Sequence, residues 1–252
     1  MNLELPTPPS SYTSPSQRAR IATELWAENN VYCPACRSTL VRTPNNTRVL
    51  DFRCKGCSLP FELKSKNGLF GTRIVDGAYS SMMEIVLENK QPNFLLMSYS
   101  QERQVTSLEL IPRHFVVPQV IEKRNALSIN ARRAGWVGCN LRLTGIPIEA
   151  RIRYVWNGRV APPESVSAQW NKNVFVEKAS LKTRGWLVTT MTLIERLGKT
   201  VFELKELYEF VPLLRETFPG NQNIEAKLRQ QLQMLRDQGW LTFLGNGVYS
   251  RT

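Results

Sequence analysis

An α/β architecture with a mixed sheet, followed by a mainly helical C-terminal module, is the fold class that the sequence predicts. Extended stretches at 49–53, 60–65, 93–100 and 105–111 surround one helical stretch at 77–89. This strand, strand, helix, strand, strand order is typical of an α/β sandwich. The composition changes near residue 180, and a region with three helical patterns follows. We therefore expect two domains, residues 1–180 and residues 181–252.

The chain opens with a lead-in rich in Pro, Ser and Thr, and a helix is predicted from Ser16 to Asn29. Ile21, Leu25 and Trp26 share one face of that helix. Glu24 lies elsewhere on it, and we expect an exposed glutamate rather than a metal ligand.

Four cysteines predict a zinc site. Cys33 and Cys36 form one C-x2-C pair, 17 residues separate it from the second, and Cys54 and Cys57 form that second pair. This is the spacing of two knuckles that close a tetrahedral site. Redox or disulfide cysteines are the alternative, but two such pairs beside tight turns favour Zn²⁺. A site with four thiolates leaves no open position for substrate, so the zinc is expected to be structural.

A second metal signature overlaps the first. Asp51 is followed after ten residues by Glu62-Leu63-Lys64, the D-x(n)-E-x-K pattern of metal-dependent phosphodiesterases. Two carboxylates suit Mg²⁺, and a lysine can position or deprotonate the attacking water. The candidate catalytic residues are thus Asp51, Glu62 and Lys64, and the candidate Mg²⁺ ligands are Asp51, Glu62 and Leu63. The alternative is ordinary surface ion pairs on a zinc ribbon.

The same pattern occurs again at Asp76 and Glu88-Asn89-Lys90. Here Glu88 ends an apolar-periodic run, so we interpret these charges as a solvated helix end. In contrast, Glu62 and Lys64 alternate with Phe61 and would share one face of a strand. The second zinc knuckle would form the turn that holds Asp51 in register with them.

Charge and composition limit the function classes. Lys and Arg outnumber Asp and Glu by 33 to 21, a net charge of +12, which indicates a polyanionic partner, by default nucleic acid. The single histidine, His114, excludes histidine dyads and sites with several histidines. No apolar run approaches the ~20 residues of a membrane helix and no secretion signal is recognised, so we expect a cytoplasmic protein.

The stretch 131–140 is a candidate DNA contact. Arg132 and Arg133 precede Trp136, which could stack on a base while the arginines meet phosphates. The alternative is a buried tryptophan that anchors the sheet. Cys139 is not part of the zinc set and is expected to be a small core residue.

The C-terminal region has the order of a winged helix. Helices are predicted near 189–197, 204–214 and 224–238, and a hairpin follows at 240–250. The third helix carries apolar residues on one face and Lys227, Gln230, Gln233 and Arg236 on the other. In winged helices that helix enters the major groove, although some members of this fold bind proteins instead.

Several segments resemble the DpnI-like family of methyl-directed type II restriction endonucleases. They run from about Ser16 to Val248 and include SQRARIATELW, YCPACR, DFRCKGC, FELKSKNG, ARRAGWVGCN and RQQLQMLRDQG. The resemblance implies a PD-(D/E)xK nuclease domain with a zinc site, followed by a winged helix. The tail before Ser16 departs from the family.

By the same resemblance, the enzyme cleaves double-stranded DNA at 5'-GATC when adenine carries a 6-methyl group, and it depends on Mg²⁺. We expect a monomer, although the sequence leaves open whether one or two copies make the double-strand cut. The matching positions place metal ligands at Asp51 and Glu62, the base or water-positioning group at Lys64, and zinc on the four cysteines. DNA contacts are implied for Arg132, Arg133, Trp136, Arg229, Gln230 and Gln231.

The residues alone leave open a second function, that of a DNA-binding protein that does not cleave DNA. A zinc-containing winged-helix regulator that binds without cutting would share the basic and zinc features. It would not require Asp51, Glu62 and Lys64.

Overall fold

The structure is a computed structural model that describes residues 1–44 and 50–252. Its helices are α1 (Pro15–Asn30), α2 (Tyr79–Leu87), α3 (Pro163–Asn173), α4 (Leu181–Arg196), α5 (Leu204–Tyr208), α6 (Val211–Thr217) and α7 (Ile224–Asp237). Its strands are β1 (Leu40–Arg42), β2 (Phe52–Cys54), β3 (Pro60–Asn67), β4 (Arg73–Ala78), β5 (Asn93–Tyr99), β6 (Val105–Ile111), β7 (Ile121–Ala126), β8 (Val137–Arg142), β9 (Ile152–Trp156), β10 (Arg159–Val160), β11 (Val201–Glu203), β12 (Leu241–Gly245) and β13 (Val248–Arg251).

A seven-stranded mixed sheet organises the N-terminal part, which confirms the predicted fold class. Its strand order is β1-β2-β3-β5-β6-β9-β10. The pair β3 and β5 is parallel, and the other neighbours are antiparallel. Helix α2 lies between β3 and β5 in the chain, so it belongs to the crossover that a parallel pair requires.

Strand β5 is buried on both faces, as its continuous apolar sequence predicts. Leu95 and Met97 belong to a core that also contains Trp26 of α1. Phe94 and Leu96 point the other way into a second core. Strand β6 is wrong as a predicted edge, because it lies between β5 and β9. The alternation in β6 arises because one face of the strand is less buried than the other. It does not indicate whether the strand lies at the edge or in the middle of the sheet.

A second sheet, in the order β4-β8-β7, was not expected. No strand is predicted at 68–76 or 131–140, yet these stretches contain much of β4 and the start of β8. Both strands are short and carry charged or polar residues such as Arg73 and Asn140. Their pairing, for example Asp76 opposite Cys139, joins residues far apart in the chain, which local pattern does not reveal.

Several helix limits also differ from the prediction. Helix α3 was missed because Pro162-Pro163 indicated a loop, whereas Pro163 occupies the first turn, where a missing N–H costs nothing. The expected helix 204–214 is divided into α5 and α6, and Pro212 lies in the first turn of α6. Residue 49 of the expected strand 49–53 lies outside the described residues; the strand itself begins at Phe52.

The C-terminal region has the predicted winged-helix order. Helix α4 begins at Leu181 after Ser180, whose hydroxyl accepts a hydrogen bond from the Thr183 N–H at 3.3 Å. Helix α7 precedes a hairpin of β12 and β13, and β11 pairs with β13 to complete the wing. The buried side chains of this region belong to the same core as Phe94 and Leu96, so residues 1–180 and residues 181–252 share one continuous interior. None of the described helices combines the length and apolar character needed to cross a membrane.

Candidate metal centre and nucleic-acid interface

Two turns of matching geometry present the four cysteines. In each turn the first cysteine donates its N–H to a residue five positions later, and its carbonyl accepts from the residue four positions later. The bonds are Cys33 N to Ser38 O (2.9 Å), Arg37 N to Cys33 O (2.8 Å), Cys54 N to Leu59 O (2.9 Å) and Ser58 N to Cys54 O (3.0 Å). Arg37 and Ser58 both have φ of 61°. This repeated turn is what two zinc knuckles require.

The four sulfur atoms converge. All lie within 4.8 Å of one another, with 3.5 Å between Cys33 Sγ and Cys57 Sγ and 3.3 Å between Cys36 Sγ and Cys54 Sγ. Zn–S bonds of about 2.3 Å in a tetrahedron place sulfurs roughly 3.8 Å apart, so the quartet fits the ion after small adjustments. The chain therefore contains a four-cysteine cluster that could bind zinc.

Without a bound ion the thiols of this cluster differ, because burial raises the pKa of Cys33 and of Cys57 while hydrogen bonds favour the thiolate form of Cys36. The N–H groups of Gly56 and Cys57 approach Cys54 Sγ at 3.3 and 3.4 Å. Slight burial opposes ionisation of Cys36, but hydrogen bonds from Ser38 and neighbouring thiols lower its pKa to about 6. A side chain at Gly56 would lie 2.4 Å from Ser38 Oγ, so glycine permits the close approach of the two turns. Cys139 is buried on β8, outside the cluster, as expected.

The second knuckle joins β2 to β3 and fixes Asp51 beside β3. The Asp51 N–H donates to Phe61 O at 3.0 Å, and the Leu63 N–H donates to Asp51 Oδ2 at 2.8 Å. In an extended strand the N–H and C=O of one residue point to the same edge, so the Leu63 carbonyl also faces Asp51. The cysteine-tied hairpin thus holds a carboxylate against a backbone carbonyl.

Glu62 and Lys64 share the other face of β3, as the alternation predicts. Phe61 points into the core that contains Trp26, whereas the Lys64 ammonium lies 6.0 Å from the centre of the Phe94 ring in the opposite core. Glu62 Oε1 and Lys64 Nζ are 2.5 Å apart. Burial raises the pKa of Glu62 to about 7 against the opposing effect of Lys64, and the nearby charges of Asp76 and Asp51 add to the increase.

Asp76 lies at this site, contrary to its interpretation as a solvated helix end. Its Oδ1 atom is 2.8 Å from Lys64 Nζ, and its side chain is only 7% exposed. The interpretation holds for Glu88, an exposed residue at the C-terminal cap of α2. The alternating Arg73-Ile74-Val75-Asp76 run was the one available signal that Asp76 ends in a strand rather than a loop.

Glu24 was also misjudged, because it is buried rather than exposed. It pairs with Arg20 at 2.5 Å, and the preceding residue of α1, Thr23, bonds Ser65 of β3 through their hydroxyls at 3.1 Å. Helix α1 therefore lies against the strand that carries Glu62. Burial of Asp51 is the main cause of its raised pKa, and the nearby charge of Glu24 adds to the increase.

The oxygen atoms at this site fit a hard divalent cation. Glu62 Oε2, on one of the candidate ligands, is buried and lacks a hydrogen-bond partner among the described residues, so it is available to a cation. Across those same residues, only the four cysteines bring three or more metal-ligating side chains within 4.8 Å of one another. Asp51 and Glu62 offer fewer ligands than the four cysteines. This suits Mg²⁺, because Mg²⁺ keeps several water ligands and is commonly held by one or two carboxylates and a substrate phosphate.

The loop between β7 and β8 presents Trp136 and two arginines. Arg132 and Arg133 are exposed, and the Arg133 guanidinium lies 4.6 Å from the centre of the Trp136 ring. Trp136 is half-buried over Gly138, where an added Cβ would lie 2.7 Å from the ring. The glycine permits the indole to approach the backbone closely, while Trp136 remains partly exposed to solvent.

Three adjacent residues of helix α7 that are candidate DNA contacts differ in their exposure to solvent. Arg229 and Gln230 are exposed; Arg229 Nη1 donates to Tyr208 Oη at 2.7 Å, and Lys227 Nζ donates to Gln230 Oε1 at 2.6 Å. Gln231 is fully buried on the face of Leu228, and its amide has no partner among the described residues. A buried side chain does not reach a DNA groove, so the expected contact at Gln231 conflicts with its position.

His114 has no part in this site. It is fully buried, and its pKa is lowered to about 3, first by burial and then by Arg184 and Arg113. It therefore remains neutral at physiological pH.

Two family models cover nearly the whole chain. The model of the DpnI, or Dam-replacing, family matches residues 1–179. The model of the Dam-replacing HTH domain matches residues 182–251. These matches agree with a mixed sheet that carries a cysteine cluster and with a C-terminal helical module that ends in a wing. The chain therefore belongs to the Dam-replacing family of DpnI-like, methyl-directed enzymes.

Proposed function

We propose that the chain is a Mg²⁺-dependent type II endonuclease that hydrolyses double-stranded DNA at 5'-GATC sites with methylated adenine. Family membership implies methylation-dependent DNA cleavage. The observation that carries the metal-dependent step is the position of Asp51, bonded to the edge of β3 beside Glu62 and Lys64. A passive DNA reader has no use for a buried group of carboxylates around a lysine.

In the proposed site, Asp51, Glu62 and the Leu63 carbonyl hold Mg²⁺ in the PD-(D/E)xK manner. The ion supplies positive charge to the scissile phosphate when bound. Lys64 points from the same face of β3 and donates hydrogen bonds to the attacking water and the phosphate, which offsets the charge that develops during attack. Glu62 Oε1 and Lys64 Nζ are 2.5 Å apart, so both side chains are already at the site before substrate arrives.

Zinc in the four-cysteine cluster has a structural role in this proposal. Its turns close the β2–β3 connection, on which Asp51 depends for its place beside Leu63. Loss of the ion would release Asp51 from that edge, although no cysteine touches the substrate.

We further propose that residues 1–180 cut and contact the methylated site and that residues 181–252 add a second contact. Trp136 with Arg132 and Arg133 serves the first contact, and Arg229 with Gln230 on α7 serves the second. An apolar surface such as the indole favours a methyl group by roughly 0.8 kcal/mol. The net charge of +12 supports attraction to DNA phosphates. A monomer in the cytoplasm completes the proposal.

The test uses one plasmid prepared from an adenine-methylating host and from a host without that activity. With Mg²⁺, the protein should cut the methylated plasmid at its GATC sites and leave the other intact, and chelation of Mg²⁺ should stop cutting. Equal cutting of both plasmids would reject methyl dependence. A gel shift without cutting in Mg²⁺ would instead support a non-catalytic reader.

A further inference from the structure

We propose that Asp76 is a positioning residue that holds the Lys64 ammonium for catalysis. This inference rests on the proposed function, because it assigns a partner to the lysine of the same site. Asp76 lies outside the D-x(n)-E-x-K pattern that places the other acids, and it comes from a different sheet.

The contacts around Asp76 restrict it closely. Its Oδ1 atom accepts from Lys64 Nζ at 2.8 Å and from the Gly77 N–H at 2.7 Å. The Asp76 side chain is 7% exposed and the Lys64 side chain 20% exposed. A carboxylate fixed by its own turn therefore meets an ammonium that has little freedom to turn toward solvent.

Lys64 has one other carboxylate partner among the described ion pairs, Glu62 at 2.5 Å. We assign Glu62 to Mg²⁺, and a carboxylate oxygen engaged with a cation is a poorer acceptor for an ammonium group. Asp76 is then the partner that remains to direct Lys64. Without it, the lysine could follow Glu62 or turn toward the phosphate in several rotamers, and misplacement of a reacting group is costly.

The backbone keeps Asp76 in place from the side of the small sheet. Asp76 pairs with Cys139, the ladder is irregular between Asp76 and Ala78, and Cys139 Sγ lies 3.5 Å from Gly77 O. Strand β8 begins at Val137, directly after Trp136. Asp76 thus links the sheet that carries the proposed methyl-site contact to the strand that carries Lys64.

The experiment compares Asp76→Ala, Asp76→Asn and Lys64→Ala in single-turnover cleavage of methylated duplex DNA with saturating Mg²⁺. Asp76→Ala should lower the maximal rate by roughly 10- to 100-fold, because the acceptor for Lys64 is lost. Asp76→Asn should recover the rate to within about fivefold of the wild type, because the amide oxygen still accepts a hydrogen bond. If Asp76→Ala fails to fold, Asp76→Val, which suits a strand and also lacks an acceptor, replaces it.

Two measurements separate positioning from general structural damage. In the Lys64→Ala background, removal of Asp76 should add less than about a twofold loss, because its effect passes through Lys64. Glu122→Ala is the matched control: it removes the ion pair with Arg73 on the same small sheet without touching Lys64 and should cut within about twofold of the wild type.

A third measurement needs no cleavage. Mn²⁺ affinity in the absence of DNA should change less than about threefold in Asp76→Ala; a loss of tenfold or more would identify Asp76 as a metal ligand and overturn the positioning role. Full cleavage by Asp76→Ala, or an equal loss in the Lys64→Ala background, would also overturn it. A wild-type protein that fails to cut methylated DNA in Mg²⁺ would instead reject the proposed function, so the two failures are distinguishable.

Discussion

Burial separates two adjacent glutamines on helix α7 that the sequence makes equivalent. Gln230 is exposed and bonded to Lys227, whereas Gln231 is fully buried between apolar neighbours. Bidentate contacts from glutamine to adenine require a side chain that reaches the groove. Of these two adjacent glutamines, Gln230 meets that requirement and Gln231 does not.

This difference provides a matched pair of variants. Gln230→Ala should weaken binding to a methylated GATC duplex by ~1 kcal/mol or more, about fivefold, because a groove contact is lost. Gln231→Met should leave binding unchanged and keep or raise the melting temperature, because a buried amide without a partner is replaced by an apolar chain of similar size. Fluorescence anisotropy and thermal unfolding measure both. Weaker binding by the folded Gln231→Met protein would contradict the assignment.

At the same scale, the sequence predicts those site residues that lie close together in the chain. The four cysteines and the Asp51, Glu62 and Lys64 set lie in one continuous stretch, residues 33–64, so spacing and alternation suffice to group them. Asp76 and Glu24 reach the site through tertiary packing of β4 and α1. Their local sequence does not show that they are buried at this site, and the short Arg73–Asp76 alternation indicates only a strand.

Among the elements, the β2–β3 hairpin has a role that its short ladder alone does not explain. Only Phe52 and Arg53 of β2 pair with β3. The cysteine knuckle at its turn therefore supplies much of the order, and Asp51 at the other end depends on it. We expect that loss of zinc from the cysteine cluster displaces the Asp51 carboxylate, because this hairpin connects the two.

Removal of one zinc ligand tests that link. Cys54→Ser should lose the bound zinc, destabilise the protein by about 3 kcal/mol, on the order of 6–12 °C, and abolish Mg²⁺-dependent cleavage. Cys139→Ser is the control, because Cys139 is buried but lies outside the quartet. It should keep one zinc per chain by metal analysis and retain cleavage. A zinc-free Cys54→Ser protein with normal cleavage would reject the link.

Helices and strands are predicted correctly where burial produces a regular pattern of apolar residues. They are missed where strands pair with partners that are far away in the chain. Strand β5 and helix α7 follow from continuous apolar and helical patterns. Strands β4, β7 and β8 are short and polar and form a sheet only with one another. Helix α3 was hidden by a double proline that caps a helix instead of interrupting one.

In the whole molecule, one continuous core joins the sheet to the C-terminal helices. Phe94 of β5 and Trp186 of α4 belong to it, and Trp186 stacks on Phe218 with ring centroids 3.9 Å apart. A change at residues 181–252 can therefore affect the N-terminal part through packing as well as through DNA contact. Variants on exposed positions, such as Gln230, separate these effects better than core variants.

The account as a whole depends on hydrolysis at Glu62 and Lys64 rather than on binding alone. The most direct measurement is cleavage of a methylated GATC duplex in Mg²⁺ by the wild type and by Lys64→Ala, with binding of each measured in Ca²⁺. We predict equal affinity for DNA and a loss of cleavage of at least ~10²-fold in Lys64→Ala. Cleavage at the wild-type rate by Lys64→Ala would contradict the assigned site.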